Sequence, residues 1–554
     1  MIRSEGSNTD VHPVSAQDGI EIYKLPGPGK YRWSEELKGF FTTWTPLCGR
    51  DHSIRQWWSP NVSEAVYQCG SPVLSTLDAE GMNRVTAALS DSFSRSRLTV
   101  SVDDLNQRDE VIFTVKTCGE DVLLRVDRRQ IGYCSAIGDA GEWMRSFLKG
   151  GQIPVPDNAE LPLYSSWYSF HQEPEQYLLE KELEAAAEIG FKTFILDDGW
   201  QFEGQNTGDY RKCGEWTVAK SKFPDFKGFC RRVHSFGIRM IVWFAVPFVG
   251  FESKEYARFK DKIAFKNEGL GAGILDIRYP EIRKHILSFL ERFALDYGVD
   301  GFKLDFLDIY KADAGSIPPY NGSMDAKTLD SAAAYLMDEI YARMTGIRED
   351  FMFEFRQNYV GAQIVNRCNM LRVGDCAADP ITNRIGIASL RLLNGGTAIH
   401  SDMLLWGKHE SPLNCRRQLL NILFSVPQIS VRLTEIPGYQ LDLIRRYTEY
   451  WTENRDTLMH GTFRALHPES NYTVMSAESE DKKITVLHGD PLFTPSGKRE
   501  DVFNDTACDF IVSSGGAFEY EIYDMFNDLL CGGKTDGQPC SLDVPRGGML
   551  RICK

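Results

Sequence analysis

Short stretches in which apolar and polar residues alternate dominate the first part of the chain. Residues 98–102 and 110–115 alternate in this way, and Gly, Asp and Asn residues separate such stretches. A period of two is typical of strands with one buried face, so residues 1–150 are predicted to form an N-terminal β-sandwich. Residues 151–158, which include Pro154 and Pro156, are predicted to be a linker.

Beyond the linker, apolar runs alternate with segments of helical period. Residues 175–189 place Leu178, Leu179 and Leu183 at helical spacing and predict a crossover helix. Eight strand-like runs follow between residues 163 and 432, which is the number that a closed (β/α)8 barrel needs. The runs are 163–167, 193–198, 239–244, 301–305, 352–356, 370–375, 397–402 and 428–432.

After about residue 455 the chain returns to short strands, among them 483–487. The predicted fold class is therefore multidomain α/β, with a central (β/α)8 TIM barrel between an N-terminal β-sandwich and a C-terminal β-domain of sandwich type. The predicted domains are 1–150, 151–454 and 455–554.

Composition and charge narrow the choice of partner. The chain has 554 residues, more than one hydrophobic core usually organises, and a formal net charge of -15. This charge, without a cluster of Lys and Arg, argues against nucleic acid and anionic membranes as partners and predicts a neutral substrate. The first residues lack a basic and apolar leader, and no run of 18 apolar residues occurs, so a cytoplasmic location is expected.

Cysteine spacing bears on cofactors and metals. The thirteen cysteines are an odd number and form no CxxC pair. This pattern argues against a zinc site and a regular disulfide framework, so reduced thiols and no metal or organic cofactor are expected.

Two carboxylates end predicted barrel strands, where the loops of such a barrel converge on a pocket. Asp305 ends the fourth strand and Asp375 the sixth. Retaining glycoside hydrolysis needs two carboxyl groups about 5–5.5 Å apart, one as nucleophile and one as general acid/base. Lys303 has the same strand parity as Asp305 and would keep that carboxylate ionised.

Each acid also has a structural interpretation. Asp305 is a candidate helix cap, and Asp375 a candidate turn residue. Asp379, four residues further on, is the main alternative acid/base, although its place before Pro380 suits a loop or a helix cap.

A third cluster joins paired acids to an aromatic residue. Asp197 and Asp198 are followed by Gly199 and Trp200, so the acids are suited to vicinal hydroxyls and the indole to an apolar sugar face. The structural alternative is a turn around Gly199.

Four motifs, in this order along the chain, resemble the α-galactosidases of glycoside hydrolase family 36: residues 194–200, 222–225, 297–305 and 372–375. The resemblance implies a retaining α-galactosidase with Asp305 as nucleophile and Asp375 as acid/base. It also implies that Asp197, Asp198 and Lys303 bind the sugar, that Trp167 and Trp200 are subsite walls, and that Trp243 remains from a substrate-binding motif.

Two departures from that family affect the sugar pocket. Residues 354–361 replace a run of the type Cys-Ser-Gly-Gly-Gly-Gly-Arg after strand five, and residues 243–247 lack the acids of a Trp-x-Glu-Pro-Glu motif. Arg356 and Arg372 are therefore predicted either to bind a sugar hydroxyl or the acid/base, or to form ion pairs in the barrel. His400 and Asp402 are left outside the predicted catalytic set.

The predicted function is hydrolysis of terminal α-linked galactose from oligosaccharides or glycosides. The alternatives are another sugar, such as α-N-acetylgalactosamine or an α-linked pentose, a transglycosylase like the raffinose-synthase relatives of the family, and a non-catalytic carbohydrate-binding protein. Members of this family often assemble, so a homo-oligomer is a further expectation.

Overall fold

Two antiparallel sheets form the N-terminal part of the protein, a computed structural model that describes residues 1–106, 108–204, 208–312 and 314–553. Their buried faces enclose a core in which Trp33 stacks on Phe113 at 5.1 Å. The seven-stranded sheet has the order Thr9–Val11, Ile2–Ser4, Gly29–Glu36, Glu110–Thr117, Ser96–Val102, Asn61–Val66 and Cys69–Gly70. The six-stranded sheet has the order Pro13–Gln17, Ile20–Lys24, Leu123–Asp127, Asn83–Leu89, Val73–Leu77 and Thr42–Trp44.

The central part is the (β/α)8 barrel that the sequence predicts. Its strands pair in parallel in sequential order, and the eighth pairs with the first. Strands seven and eight meet where Val426 N donates to Ile399 O at 2.8 Å, which completes the ring. The strands are Leu163–Ser165, Thr193–Leu196, Arg239–Ala245, Gly301–Asp305, Met352–Arg356, Met370–Arg372, Ala398–His400 and Gln428–Ile429.

Helices cover the barrel, and side-chain caps begin several of them. Asp225, Ser253, Thr328, Asp379 and Ser411 each accept a hydrogen bond from a backbone N–H of the first helical turn. The main helices are Gln176–Glu188, Phe226–Ser235, Pro280–Arg292, Leu329–Ile347, Pro380–Asn394, Pro412–Asn421 and Gly438–Glu453, with shorter ones at Trp167–Phe170, Lys254–Phe259 and Ala362–Val365. A small sheet of Phe248–Gly250, Ala272–Leu275 and Ile263–Asn267 is inserted between strands three and four.

Strands four and five have the predicted bounds, whereas others end earlier. Strand six ends at Arg372 rather than at Asp375, because Gly374 N donates to the Gln357 side chain instead of to a neighbouring strand. Strand one ends at Ser165, and Trp167 begins a short helix. Asp375 therefore lies on a loop at the barrel mouth and not on strand six.

The C-terminal part is again built of sheets. Along the chain, helix Tyr133–Arg145 precedes the barrel and helix Arg455–His460 follows it. The seven-stranded sheet has the order Thr462–Leu466, Val474–Glu478, Lys482–Leu487, Arg499–Asn504, Met549–Cys553, Glu519–Tyr523 and Leu529–Lys534, and the three-stranded sheet the order Leu492–Phe493, Ile511–Ser513 and Cys540–Leu542.

Every described strand pair lies within one of the three predicted ranges, and we keep 1–150, 151–454 and 455–554 as proposed domains. Among the residues described above, no helix combines the length and the apolar character that crossing a bilayer requires.

Candidate active site

Asp305 lies at the end of strand four inside a set of hydrogen-bond donors. Its Oδ1 accepts from Arg356 Nε at 2.7 Å and from its neighbour Phe306 N at 2.7 Å, and its Oδ2 accepts from Trp243 Nε1 at 3.1 Å. Burial favours the neutral acid, but the positive charges of Arg356 and Lys303 outweigh it and hold the pKa of Asp305 far below its usual value. Asp305 is therefore a stable carboxylate, as a nucleophile requires.

Arg356 forms an ion pair, one of the two predicted interpretations. It ends strand five, and its guanidinium also approaches Asp308 Oδ1 at 3.3 Å. It lies over the rings of Phe306 and Tyr359. These contacts fix the guanidinium between two carboxylates directly beside the proposed nucleophile.

Asp375 follows strand six and is the more open of the two acids. Its side chain is 60% exposed, against 13% for Asp305. Its Oδ1 accepts from Arg372 Nη2 at 2.8 Å. Burial and the charge of Asp305 raise the pKa of Asp375, but Arg372 and Lys303 lower it more, so it lies below its usual value. The charge of Lys303 thus lowers the pKa of both carboxylates.

Arg372 links Asp375 to the barrel interior, because its buried side chain is surrounded by acids. It donates to Asp402 Oδ1 and lies 3.4 Å from Glu354 Oε1. Burial raises the pKa of both Asp402 and Glu354 above their usual values, in opposition to the lowering by the arginine. Asp402, which lies outside the predicted catalytic set, also accepts from Tyr168 OH at 2.9 Å and so connects the segment after strand seven to helix Trp167–Phe170.

Lys303 pairs with Asp197 rather than with the nucleophile. Its Nζ donates to Asp197 Oδ2 at 2.6 Å, and both side chains are buried. Burial lowers the pKa of Lys303, but the charge of Asp197 raises it more, so the ammonium is retained. Lys303 acts on Asp305 through its charge.

Asp198 is buried beside Asp197 and is held by two amides. Gln172 and Gln201 donate to its two oxygens, the latter at 2.6 Å. Burial raises the pKa of Asp198 to about 7, although both amide hydrogen bonds lower it. The sequence did not indicate these two glutamines, because no motif marks a side-chain amide that reaches the acid only when the loop folds.

Gly199 and Lys222 shape the loop that presents this pair of acids. Gly199 has φ +108, and a Cβ there would lie 2.4 Å from the Cα of Gln172. Lys222 Nζ donates to the backbone oxygens of Gln172 and Gly199 at 2.7 and 2.9 Å. A side chain at Gly199 is therefore excluded by the close approach of the two loops.

The three tryptophans differ in accessibility. Trp167 is partly exposed, beside the ring of His171. Trp243 is buried and, as described above, donates to Asp305. Trp200 is fully buried, with its Nε1 on Trp243 O and its ring among Trp216, Phe244 and Phe293. The prediction that Trp200 is a subsite wall is therefore wrong, because its ring fills the layer between strands and helices.

Asp379, the alternative acid/base, caps helix Pro380–Asn394 and pairs with Arg50. Its Oδ1 accepts from Thr382 N at 3.1 Å, and Thr382 Oγ1 donates to its Oδ2 at 2.6 Å. These contacts give Asp379 the helix-capping position that its place before Pro380 predicts.

Backbone strain also occurs at the same end of the barrel. Four non-glycine residues in the loops after strands one, four, five and six have φ values in the left-handed region: His171, Phe306, Asn358 and Ala377. Such conformations cost free energy and cluster where function demands a particular geometry. Together with the paired acids, this strain marks the mouth of the barrel as the candidate active site.

Comparisons with known proteins relate the central part of the chain to one family. The sequence model of the family Melibiase matches residues 158–352. α-Galactosidase Mel36A of Lactobacillus acidophilus is 27% identical over 180 residues, covering 31% of this chain and 23% of the relative. Myogenesis-regulating glycosidase of Mus musculus is 26% identical over 174 residues, covering 29% and 23%. The sequence matches thus span about a quarter of these relatives' length.

Solved structures extend the likeness of the fold to nearly the whole chain. The family 36 α-galactosidase AgaA of Geobacillus stearothermophilus superposes with a TM-score of 0.65 at 13% identity, covering 97% of this chain and 80% of that one. The α-galactosidase TtGalA of Thermus thermophilus gives 0.55 at 18% identity, covering 84% and 94%. The likeness in sequence to the Melibiase family thus covers residues 158–352, and the likeness in fold to family 36 α-galactosidases covers nearly the whole chain.

Proposed function

We propose that this protein is a retaining exo-α-glycosidase that removes terminal α-linked galactose from oligosaccharides or glycosides. The observation that carries the proposal is the asymmetry of the two acids. Asp305 is mostly buried and is held ionised by Arg356 and Lys303, whereas Asp375 is exposed on the loop after strand six. A nucleophile and a proton donor need these different environments.

In the first step, Asp305 attacks the anomeric carbon and Asp375 gives its proton to the leaving oxygen. Oδ1 of Asp305 is occupied by Arg356 and Phe306, so Oδ2, with Trp243 as its donor, is the attacking atom. The bond from the anomeric carbon to the leaving oxygen breaks as the ester bond to Oδ2 forms. The product is a β-linked glycosyl-enzyme and a released alcohol.

In the second step, Asp375 takes a proton from water, and the water oxygen attacks the anomeric carbon. Asp305 leaves as a carboxylate, which its hydrogen-bond donors stabilise as charge returns. Two inversions give net retention, so the first sugar released is the α-anomer. Proton transfer through Asp375 requires that it bind the proton in the substrate complex, and substrate covering its exposed carboxyl would raise its pKa.

Asp197, Asp198 and Trp167 are proposed to bind sugar hydroxyls and an apolar sugar face. Galactose is favoured because α-galactosidases are the named relatives and a variant of AgaA has been solved in complex with raffinose. Arg356 stands where the family usually has a Cys- and Gly-rich run, so α-N-acetylgalactosamine or an α-pentose is the second candidate. Lys303 and Arg372 complete the proposed set through their ion pairs with Asp197 and Asp375.

The remaining proposals concern context. An oligosaccharide is the proposed partner, with water rather than a second sugar as the usual acceptor. A homo-oligomer is also proposed, without nucleic acid or membrane as partner. The thirteen unpaired cysteines support a reducing, cytoplasmic compartment.

A panel of aryl α-glycosides tests the sugar and the mechanism together. We expect release from the α-galactoside, with α-galactose as the first product by NMR. Release from another glycoside only would reassign the pocket, and β-galactose as first product would contradict retention. No turnover with any member, together with calorimetric sugar binding, would favour the non-catalytic alternative.

Azide rescue of two variants separates the roles of the acids. Asp305→Ala should lower turnover by at least about 1,000-fold. With azide and an activated aryl α-galactoside, it should form the β-galactosyl azide, because azide takes the place of the missing nucleophile. Asp375→Ala should instead form the α-galactosyl azide from the glycosyl-enzyme. The same azide anomer from both variants would refute the assignment.

A further inference from the structure

The outward face of the seven-stranded N-terminal sheet carries a row of cations. In strand Gly29–Glu36 the side chains of Lys30 and Arg32 are exposed, while those of Tyr31 and Trp33 are buried. Lys116, in strand Glu110–Thr117, lies directly opposite Lys30 of one adjacent strand and opposite Arg97 of the other. Neighbouring strands are only about 4.8 Å apart, so like charges placed opposite each other destabilise the sheet.

Two hollows on this face join into one groove. Their volumes are about 370 and 360 Å³, and both have Arg97 and Lys116 in their walls. Six cations and three carboxylates line the two hollows, although the whole chain has a net charge of -15. We call this feature the cationic groove: Lys30, Arg32, Arg95, Arg97, Lys116 and Lys311.

Only part of this charge is neutralised within the protein. Lys30 lies 2.7 Å from Glu5, and Arg97 lies 3.1 Å from Glu64. Arg32 and Lys116 form no ion pair with any carboxylate of the described ranges. These two exposed cations are therefore available to an anion from solution.

An exposed aromatic pair stands at the edge of the groove. Trp57, which lines it, is 44% exposed, and the adjacent Trp58 is 62% exposed. Their rings meet edge to face at 6.0 Å. Hydroxyls of Thr99 and Thr114 lie in the same lining. Indole faces suit the apolar side of a sugar, and hydroxyls suit its polar edge.

The other end of the groove adjoins the candidate active site. Lys311 follows strand four by six residues, and its Nζ lies 3.9 Å from Cys69 Sγ. Gly70 N donates to Asn358 O at 2.7 Å, on the loop after strand five. Asn358 in turn approaches Asp308, which shares Arg356 with Asp305. The groove therefore leads from the barrel mouth onto the sheet.

We propose that the cationic groove binds an anionic oligosaccharide, one that bears sulfate esters or carboxylates on sugar rings. The cations bind the anionic groups, Trp57 stacks on a sugar ring, and the chain continues toward the barrel mouth. The link to the barrel rests on the proposed function, whereas binding in the groove does not. Cations and an exposed aromatic ring also suit single-stranded nucleic acid, but the hydroxyls of Thr99 and Thr114 and the approach to the barrel mouth favour a sugar.

Calorimetry with three tetrasaccharides of equal length tests the binding. We expect a sulfated galactose tetrasaccharide or tetragalacturonate to bind, and uncharged stachyose to bind the groove at least about tenfold more weakly. Tighter binding of the sulfated or of the carboxylated sugar identifies the anionic group. Affinity should fall as NaCl rises, because the contacts are between exposed charges.

Three variants connect the binding to the named residues. The double variant Arg32→Gln/Lys116→Gln should weaken binding of the anionic sugar about tenfold or more, and Trp57→Ala should also weaken it. Lys149→Gln, which removes an exposed cation away from the groove, is the matched control and should change nothing. All three should hydrolyse a small aryl α-galactoside like the unaltered protein.

Several results would overturn the proposal. These are equal affinity for stachyose and the charged sugars, unchanged binding in the double variant, or equally tight binding of single-stranded DNA of matched charge. Failure of the proposed function has a different signature, namely anionic sugar binding without hydrolysis of any α-galactoside.

Discussion

The carboxylate at the end of strand four is surrounded by more positive charge than ionisation requires. Arg356 contacts Asp305 directly, and Lys303 adds its charge through the pair with Asp197. A carboxylate so stabilised is always ionised, but it is also a weaker nucleophile than a free one. Arg356 is thus a positioning residue, which holds the Asp305 carboxylate in a fixed geometry and at the same time lowers its basicity.

Replacing Arg356 with Gln should move the acid side of the pH profile. The guanidinium lowers the pKa of Asp305, so its loss raises that pKa toward the usual value. Activity that needs ionised Asp305 exists above this pKa and is lost as pH falls through it. The acid limb of kcat/KM on an aryl α-galactoside should therefore shift to higher pH.

The control for this profile is Arg258→Gln, which removes a surface arginine that pairs with Glu255. An acid limb at the same pH in Arg356→Gln and in the unaltered protein would show that the guanidinium does not set the ionisation of Asp305.

Arg372 should matter more for stability than surface arginines do. Its side chain is buried with Asp402 and Glu354, and removing one partner of a buried ion pair leaves uncompensated charge. Arg372→Gln should lower the free energy of unfolding by about 3–5 kcal/mol in urea titrations. The double variant Arg372→Gln/Asp402→Asn should recover part of that loss, and no recovery would argue against the pair as its cause.

At the scale of elements, helix Pro380–Asn394 depends on its cap. Asp379→Ala removes the acceptor for Thr382 N and should cost about 1 kcal/mol of unfolding free energy. Hydrolysis of the aryl α-galactoside should remain within about twofold, because the contacts of Asp379 are structural. A loss as deep as that of Asp375→Ala would instead make Asp379 the acid/base.

The elements themselves could be read from the chain to a large extent. Strands four and five have the predicted bounds, because in each of them apolar residues flank one buried charged residue, Lys303 or Glu354, and the run ends at a second charged residue. Strand six was predicted three residues too long, because the side chain of Gln357, distant in sequence, satisfies Gly374 N. The periodicity of a sequence indicates where a strand lies, but not which group accepts the backbone hydrogen bond at the point where strand pairing ends.

At the scale of the whole molecule, one hydrophobic cluster runs through the barrel into both flanking parts. It includes Trp44 and Tyr133 from the N-terminal part and Tyr472 from the C-terminal part. Tyr133 OH donates to Ala465 O, so the flanking parts also contact each other directly. We therefore expect a shared unfolding transition of the barrel and the adjoining surfaces.

Two glycines of helix Tyr133–Arg145 give a matched test of this packing. A Cβ at Gly141 would lie 2.4 Å from Leu393 O of the barrel helix, whereas one at Gly138 would be 3.9 Å from Leu392 O. Gly141→Ala should lower the free energy of unfolding by at least about 1 kcal/mol, because the Leu393 carbonyl belongs to the backbone of a packed helix and cannot move away from the new methyl group. Gly138→Ala should raise it by up to about 1 kcal/mol through helix propensity.

Thermal unfolding by calorimetry measures both variants. Equal melting temperatures for the two would contradict the close approach of the helices. Two resolved transitions in the unaltered protein, with Gly141→Ala affecting only one, would contradict the shared core.

The sequence by itself determined the barrel, its two flanking β parts, and the places of Asp305 at the end of strand four and of Asp375 shortly after strand six, because local periodicity and strand order express them directly. Only the tertiary structure decided the partners. Arg372 meets Asp402 through barrel closure, Trp200 turns into the layer between strands and helices, and strand register places Lys116 between Lys30 and Arg97. Such contacts join residues far apart in the chain, and the summed charge of -15 conceals where the positive charges gather.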